Sequence, residues 1–373
     1  MRLHQEQNEA QPGSAEQNGT ASLMQKNASS LNPTFCVAML KNGNTIKVEG
    51  RISDFLKTIN EADFSWINVQ VDDLKADALS ISSMLGFNPA MADELLLQRF
   101  SGYVDEVTEL GLLLPAVHVH NLEVEINKLL VLMRPNLIAT IHSAKVTRLV
   151  KFARYATTSF KKIPKHLKPI DKISSVLVRI LDENNERNFD GIRAIQEQGE
   201  KISEHLIEFR KARDNLGTDI YKMKHALITY LETLWAGLDV VHYLRYGDAD
   251  AITDDPFILR KISMLSNDLT RQISISEQMS AVLASGLEVL QSIYNNQLQV
   301  LNNRLSSVVV WLTILGTAVL VPNTIATIFG IGPIAEHVEW HQILITLIIA
   351  TVVATFGMYW YVRKKGLLQT KVD

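Results

Sequence analysis

Two long runs without a charged residue dominate the C-terminal part of the chain, over 305–335 and 342–362. Each run is longer than the roughly 20 apolar residues that a helix needs to cross about 30 Å of hydrocarbon. The pattern therefore predicts two transmembrane helices, over 307–329 and 342–362. The short external loop 330–341 joins them.

Residues 33–150 show a different pattern, in which short segments rich in branched residues alternate with polar ones. The segments that predict strands are FCVAML, TIKVEG, FSWINV, GLLLPAVHVH, KLLVLMR and LIATIH. NPAMADELLLQRF predicts a helix, because Asn88 can cap it and Pro89 suits its first position. We therefore expect an α/β domain over 33–150, followed by long charged helices over 151–256.

No helix breaker separates Pro256 from Leu320, and apolar residues recur there at steps of three and four. This stalk stripe consists of Leu283, Leu287, Leu290, Tyr294, Leu298, Leu301, Leu305 and Val308. It is typical of a coiled coil between copies or of a core contact within one subunit. The fold class predicted is an α+β membrane protein, in which a stalk helix over 257–306 continues into the first span.

The distribution of charge predicts the orientation of the spans. The positive residues around them are Arg304, Arg363, Lys364, Lys365 and Lys371. The loop between the spans has no Lys or Arg, and it carries Glu336 and Glu339. Because positive flanks stay cytoplasmic, we expect the N-terminal part and the basic tail 363–373 in the cytoplasm, with the spans in the cell membrane.

Composition excludes other classes. The net charge of −3 provides no basic field that would attract nucleic acid. The single cysteine, Cys36, rules out an internal disulfide framework and suits a reducing compartment. Residues 1–32 are rich in Gln, Asn, Ser and Gly, which predicts a disordered leader. The sequence contains no phosphate loop, nucleophile elbow or cysteine cluster, so no enzyme is predicted.

Polar and small residues follow one face of the first predicted span. This polar stripe consists of Asn302, Ser306, Val309, Thr313, Gly316, Leu320, Asn323, Thr327 and Gly330. Lipid offers these groups no hydrogen bond, and an unsatisfied one costs on the order of several kcal/mol, so the stripe must face protein or water. Close helix packing and a water-filled pore both remain open. A pore would require several copies around an axis.

This arrangement resembles the CorA family of divalent-cation channels over about residues 35–370. The segments that carry the resemblance are FNPAMADELL, LLVLMRPNLIATIH and NRLSSVVVWLTILGTAVLVP. The resemblance implies a homopentamer that passes Mg²⁺, and often Co²⁺ or Ni²⁺, down its gradient. The family carries Gly-Met-Asn at its pore mouth. Here Gly330, Ile331 and Gly332 stand at the matching positions, so the glycine is kept and the asparagine is absent.

The resemblance also implies roles along the pore. Ser306 matches the inner mouth, and Val309, Leu312 or Thr313, and Leu320 match the apolar gate. The physical reading adds Asn323 as a polar ring, with Thr313 and Thr327 beside it. The alternative is that Asn323 satisfies carbonyls freed by Pro322. Glu336 and Glu339 could concentrate cations at the outer mouth.

Three acids match the family's regulatory Mg²⁺ sites between subunits: Asp93, Glu94 and Asp268. Carboxylate oxygens are the ligands that Mg²⁺ prefers, so these acids could sense the ion. The alternative for Asp93 and Glu94 is that they only favour a helix N-terminus. The sequence thus predicts a passive Mg²⁺ channel gated by cytoplasmic Mg²⁺. A zinc transporter of the same family and a non-conducting membrane regulator or scaffold are the alternatives.

Overall fold

The computed structural model describes residues 34–207, 216–246, 249–332 and 339–365. Within these ranges the chain forms seven strands and eight helices. The strands are β1 (Phe35–Leu40), β2 (Thr45–Glu49), β3 (Ala62–Val71), β4 (Gly102–Glu106), β5 (Glu109–His120), β6 (Glu123–Arg134) and β7 (Leu137–Ser143). The helices are α1 (Ile52–Glu61), α2 (Leu74–Met84), α3 (Pro89–Leu97), α4 (Val150–Lys161), α5 (Pro169–Ile207), α6 (Leu216–Tyr246), α7 (Pro256–Phe329) and α8 (Trp340–Lys364).

The strands form one sheet in the order β2-β1-β3-β7-β6-β5-β4. Only β3 and β7 pair in parallel, and the other neighbours are antiparallel. The central strands are buried along nearly their whole length, so they read as continuous apolar runs rather than as alternating ones. All six strands predicted from the sequence are confirmed.

Helices cover both faces of the sheet, because alternate residues of a strand point to opposite sides. On one face, Ile67 and Val69 share a buried cluster with residues of α1, α2 and α3. On the other face, Trp66 stacks on Phe152 of α4, with ring centroids 4.7 Å apart. The indole N–H of Trp66 donates to Thr140 Oγ1 at 3.0 Å, so its polar atom is satisfied within the core.

Helix α3 begins as the sequence predicts. Pro89 occupies the first turn, and the Asn88 side chain accepts from the Ala90 N–H at 3.0 Å. The helix ends where Lys128 of β6 donates to the carbonyls of Leu96 and Gln98, at 3.0 and 2.7 Å. These contacts fix both ends of the helix that carries the first acidic pair.

A glycine lets α3 lie close to the sheet. A Cβ added at Gly111 of β5 would lie 2.6 Å from Met91 Sδ and 2.7 Å from Leu95 Cδ1. Both distances are below van der Waals contact, so any side chain at Gly111 would push α3 away from β5.

A buried arginine joins the other face of the sheet to α5. Arg148 donates to the carbonyl of Val117 on β5 and to the carbonyl of Asn184 on α5. It also donates to Asn188 Oδ1 at 2.6 Å. All three acceptors are neutral, and burial lowers the pKa of the Arg148 guanidinium to about 10.

Helix α7 is a single element of 74 residues that begins at a strong cap. Asp255 Oδ1 accepts from the N–H groups of Phe257 and Ile258, at 2.9 and 3.1 Å, and Pro256 occupies the first position. The stalk is therefore continuous with the first span, as predicted. The chain divides into two compact units, 1–283 and 284–373, and the division falls inside α7. Helices α4 to α6 belong to the same unit as the sheet.

Sequence reasoning missed β4 and placed the ends of several elements one to several residues inward. The leader 1–32, most of the basic tail and Glu336 lie outside the described residues.

Replacing Gly111 with valine should lower the free energy of unfolding by about 1–3 kcal/mol, because the added carbons overpack the contact between α3 and β5. Urea unfolding of the full-length protein in detergent, followed by intrinsic fluorescence, measures this change. The matched control is Gly237→Ala, whose Cβ would meet only Leu269 Cδ2, at 4.0 Å. That control should match the parent protein or exceed it in stability, and an equal loss in both variants would contradict the close approach of α3.

Candidate ion pathway and acidic sites

Two described helices, α7 and α8, are long and apolar enough to cross a membrane. Their less exposed positions recur at steps of three and four. On α7 these include Ser307, Val310, Ile314, Thr317, Val321 and Ile325, and on α8 they include Ile343, Leu347, Ala350, Ala354, Met358 and Val362. This is the pattern that two helices leave where they pack on each other. We call these positions the hairpin seam.

The polar stripe lies beside the hairpin seam, not in it. The stripe positions 306, 309, 313, 316 and 320 each come one residue before a seam position, which rotates them by about 100° around the helix. Gly316 is half-buried, and every other member of the stripe is exposed. Leu312 is exposed too. Packing within the hairpin therefore does not use the face that carries the polar groups.

The threonine hydroxyl groups along α7 are satisfied by the helix itself. Thr313 Oγ1 donates to the Val309 carbonyl at 2.8 Å, and Thr327 Oγ1 donates to the Asn323 carbonyl at 2.8 Å. Such a bond to the preceding turn gives the threonine hydroxyl an acceptor, so its donor is not left without a hydrogen bond. These two threonines can therefore sit in an apolar span without a partner from another helix.

Asn323 is different, because its amide has no hydrogen-bond partner within the part of the chain that the structure describes. The adjacent Pro322 lacks an N–H, which leaves the Ala318 carbonyl without its usual donor four residues on. Asn323 does not bond to this carbonyl. The exposed amide is therefore available to water or to another copy of the chain.

The segment at the predicted pore mouth closes the helix with short-range bonds. Gly330 N donates to the Ala326 carbonyl at 3.0 Å, and Ile331 N donates to the Ile328 carbonyl at 3.2 Å. Ile331 and Gly332 are exposed. Glu339 is also exposed and caps the start of α8, where its carbonyl accepts from Gln342 N at 3.0 Å.

Most of the stalk stripe is uncovered in the single chain, and Leu283 and Leu290 are half-buried. Leu287, Tyr294 and Leu298 are 37%, 45% and 57% exposed, and Leu301, Leu305 and Val308 are each more than half exposed. A core contact within one subunit would bury these side chains. Their exposure therefore favours the alternative, contact between copies.

Asp93 and Glu94 are exposed on α3 and lie beyond its first turn. The helix-dipole effect falls off within the first turn, so a role in favouring the N-terminus does not explain this pair. Both side chains are free to reach an ion outside the α/β core.

Asp268 is exposed on α7 and lies near acids of α5. Burial raises the pKa of Asp182, the Arg179 guanidinium opposes that rise, and Glu186 and Asp268 reinforce it. Sequence reasoning missed Asp182 and Glu186, because more than 80 residues separate them from Asp268 and no spacing motif links them. Among the described residues of one chain, no three His, Cys, Asp or Glu side chains converge on a common metal position.

Known proteins share this architecture. The sequence profile of the family described as CorA-like Mg²⁺ transporter protein matches residues 61–364. The match spans most of the chain, from β3 through the stalk and both candidate spans. The chain therefore belongs to the CorA family of divalent-cation transporters, as the sequence motifs predict. A search of curated protein sequences found no match.

Solved structures agree on the fold. The complete CorA magnesium transporter from Methanocaldococcus jannaschii is 17% identical, with a TM-score of 0.65 over 90% of this chain and 98% of that one. The full-length CmaX protein is 17% identical, with a TM-score of 0.60 over 89% of this chain and 98% of that one. The soluble domain of the M. jannaschii CorA is 17% identical, with a TM-score of 0.54 over 68% and 94%. Identities this low establish the fold alone.

Cysteines introduced on the polar stripe should link neighbouring copies, whereas cysteines in the hairpin seam should not. The matched pairs are Val309→Cys against Val310→Cys, and Thr313→Cys against Ile314→Cys. The native Cys36 does not interfere, because it is buried and its pKa is raised to about 12 by that burial. Mild oxidation in membranes, followed by denaturing gel electrophoresis, should show dimers only for positions 309 and 313. Dimers that form equally at all four positions would contradict this assignment.

Proposed function

We propose that the protein is a passive channel for divalent cations, with Mg²⁺ as its principal substrate and Co²⁺ and Ni²⁺ as further ones. Membership of the CorA family supports this proposal. The single observation that carries it is the exposed polar stripe of α7, with the unpartnered Asn323 on it. A lipid-facing surface gains nothing from these groups, whereas a water-filled path does.

The channel is a homopentamer whose α7 helices surround the axis, with the stalk stripe in contact between copies. Its N- and C-termini are cytoplasmic and both spans lie in the cell membrane, in line with the positive flanks. From the cytoplasm outward, Ser306 forms the inner mouth. Val309, Leu312 and Leu320 form an apolar gate, which closes by excluding water.

Asn323 forms the polar ring on the outer side of the gate. Mg²⁺ releases its water slowly and prefers an octahedral shell, so a ring that meets it must bind through that water. An amide oxygen can do this at Asn323, two turns inside the mouth. Thr313, Gly316 and Thr327 complete the lining. Gly330, Ile331 and Gly332 form the mouth, and their backbone carbonyls replace the amide ring that other family members carry there.

Glu339 and Glu336 draw cations to the mouth by their charge. On the cytoplasmic side, Asp93 and Glu94 of one copy and Asp268 of a neighbour bind Mg²⁺ and hold the channel closed. The exposure of all three described side chains and the lack of a complete site in one chain support a shared site. Occupancy of that site then reports the cytoplasmic Mg²⁺ concentration.

One observation favours a second candidate, a membrane regulator or scaffold that conducts no ion. The mouth carries Gly-Ile-Gly, so the side-chain amide of the family motif is missing. A zinc transporter of the same family remains the alternative for the ion. Flux measurements with Mg²⁺, Co²⁺, Ni²⁺ and Zn²⁺ in separate liposome preparations distinguish these functions.

Replacing Asn323 with leucine should reduce Mg²⁺ influx at least about tenfold, because the ring can no longer bind the hydrated ion while it passes. Influx is measured in liposomes with an imposed inside-negative potential. The oligomer should elute unchanged in size-exclusion chromatography.

The matched control is Thr324→Val, next to Asn323 on another face of α7. It should conduct like the parent protein. Full conduction by Asn323→Leu in an intact oligomer would remove Asn323 from the pathway. Absence of flux for every ion in the parent protein would support the regulator instead.

Asp268→Ala should weaken the protection that Mg²⁺ gives the stalk against protease, because one ligand of the shared site is lost. Limited proteolysis of the detergent-solubilised oligomer over a Mg²⁺ titration measures this protection. Glu277→Ala is the control, since nine residues place Glu277 on the opposite face of the same helix. Identical titrations for the parent and Asp268→Ala would exclude Asp268 from the site.

A further inference from the structure

A cavity of about 770 Å³ opens on the unit 1–283, and its lining includes no residue of the candidate spans and none of Asp93, Glu94 and Asp268. It lies between α4, the segment that follows α4, the first turns of α5 and the first turn of α7. Its volume falls within the roughly 300–1,000 Å³ that is usual for small-molecule sites. The lining residues that carry the argument are Tyr155, Lys162, Arg179, Asp255, Phe257 and Lys261.

The charge of the cavity favours an anion. Three cations line it, and two of these, Lys162 and Lys261, make no ion pair within the described part of the chain. The third, Arg179, pairs with Asp182 at 3.1 Å, and it also donates to the Tyr155 hydroxyl at 3.2 Å.

The only acid in the lining is already engaged. Asp255 caps α7 by accepting from the N–H groups of Phe257 and Ile258. Its negative charge is therefore offset by the positive end of that helix. The two unpaired lysines leave the cavity with a net attraction for negative groups.

The walls of the cavity favour a flat ring. Phe152 and Phe160 are buried behind it, whereas Phe257 at its edge is 64% exposed. Lys261 Nζ lies over one face of the Phe257 ring, 4.7 Å from its centre, so a ligand ring can stack only on the opposite face. Hydroxyl groups of Thr158 and Ser159 also line the cavity and can bind polar edges or phosphate oxygens. Unpaired lysines beside an open aromatic face suit a ligand that has both a ring and a charged tail.

We propose that this cavity binds a nucleoside polyphosphate, with its base against Phe257 and Tyr155 and its phosphates on Lys162 and Lys261. The ligand would thereby contact the first turn of α7, the helix whose far end forms the first span. The proposal concerns binding alone, so it does not depend on ion conduction.

Isothermal titration of the intact oligomer in detergent with ATP, at fixed free Mg²⁺, tests the proposal. We expect saturable binding with one site per chain. Lys162→Glu and Lys261→Glu should each weaken ATP binding at least about tenfold, because each variant places a negative charge against the phosphates. The matched control is Lys161→Glu, the neighbouring exposed lysine that does not line the cavity, and it should bind ATP like the parent protein. Size-exclusion chromatography confirms the same oligomer for each variant.

Two further ligands separate the contribution of the base to binding from that of the phosphate charge. Tripolyphosphate and adenosine should each bind more weakly than ATP. Phe257→Ala should weaken ATP binding without changing that of tripolyphosphate. Absence of ATP binding up to millimolar concentration would overturn the proposal. Equal loss in Lys161→Glu and Lys162→Glu, or equal affinity for ATP and tripolyphosphate, would also overturn it by showing a diffuse charge effect.

Discussion

The hydrocarbon core of a membrane offers no hydrogen bonds, and this constraint governs the last part of the chain, which holds both spans. As helices, α7 and α8 satisfy almost all of their own backbone groups. The threonines of α7 satisfy their hydroxyl protons by bonding to the preceding turn. The side-chain amide of Asn323 has no hydrogen-bond partner within the described chain, and the adjacent Pro322 leaves a backbone carbonyl without its donor as well. A single hairpin is therefore chemically incomplete in lipid, and assembly around water or protein completes it.

Along α7, the hairpin seam and the polar stripe are offset from each other by one residue. Val310 and Ile314 belong to the hairpin seam, whereas Val309 and Thr313 belong to the polar stripe. Because one residue turns the helix by about 100°, α7 can hold α8 on one side and present a different surface on the next. Most of the stalk stripe upstream is uncovered in the same way. One element thus carries intrachain packing, the proposed contact between copies and the proposed pathway without conflict between them.

Much of this architecture follows from the sequence pattern alone. Branched residues predicted six strands, and Asn88 and Pro89 predicted the start of α3. Strand β4 escaped notice because GYVDE has neither an apolar run nor clean alternation. The hairpin seam could not be separated from the lipid face, since both consist mainly of apolar residues. The acids near Asp268 and the cavity beside Phe257 could not be predicted either. Each joins segments that are far apart in sequence, and only the packing of α4, α5 and α7 brings them together.

The hydroxyl geometry of α7 has one more consequence. Thr313 and Thr327 direct their protons inward to backbone carbonyls, so the oxygen lone pairs are what each side chain can offer outward. Repeated around an axis, such oxygens give the lumen a negative potential without any formal charge. Anions would be rejected by this lining, and cations would be attracted without being held by a carboxylate. A proposed pathway of this kind selects cations over anions and still releases a doubly charged ion quickly. Charged residues at the same depth would slow that release.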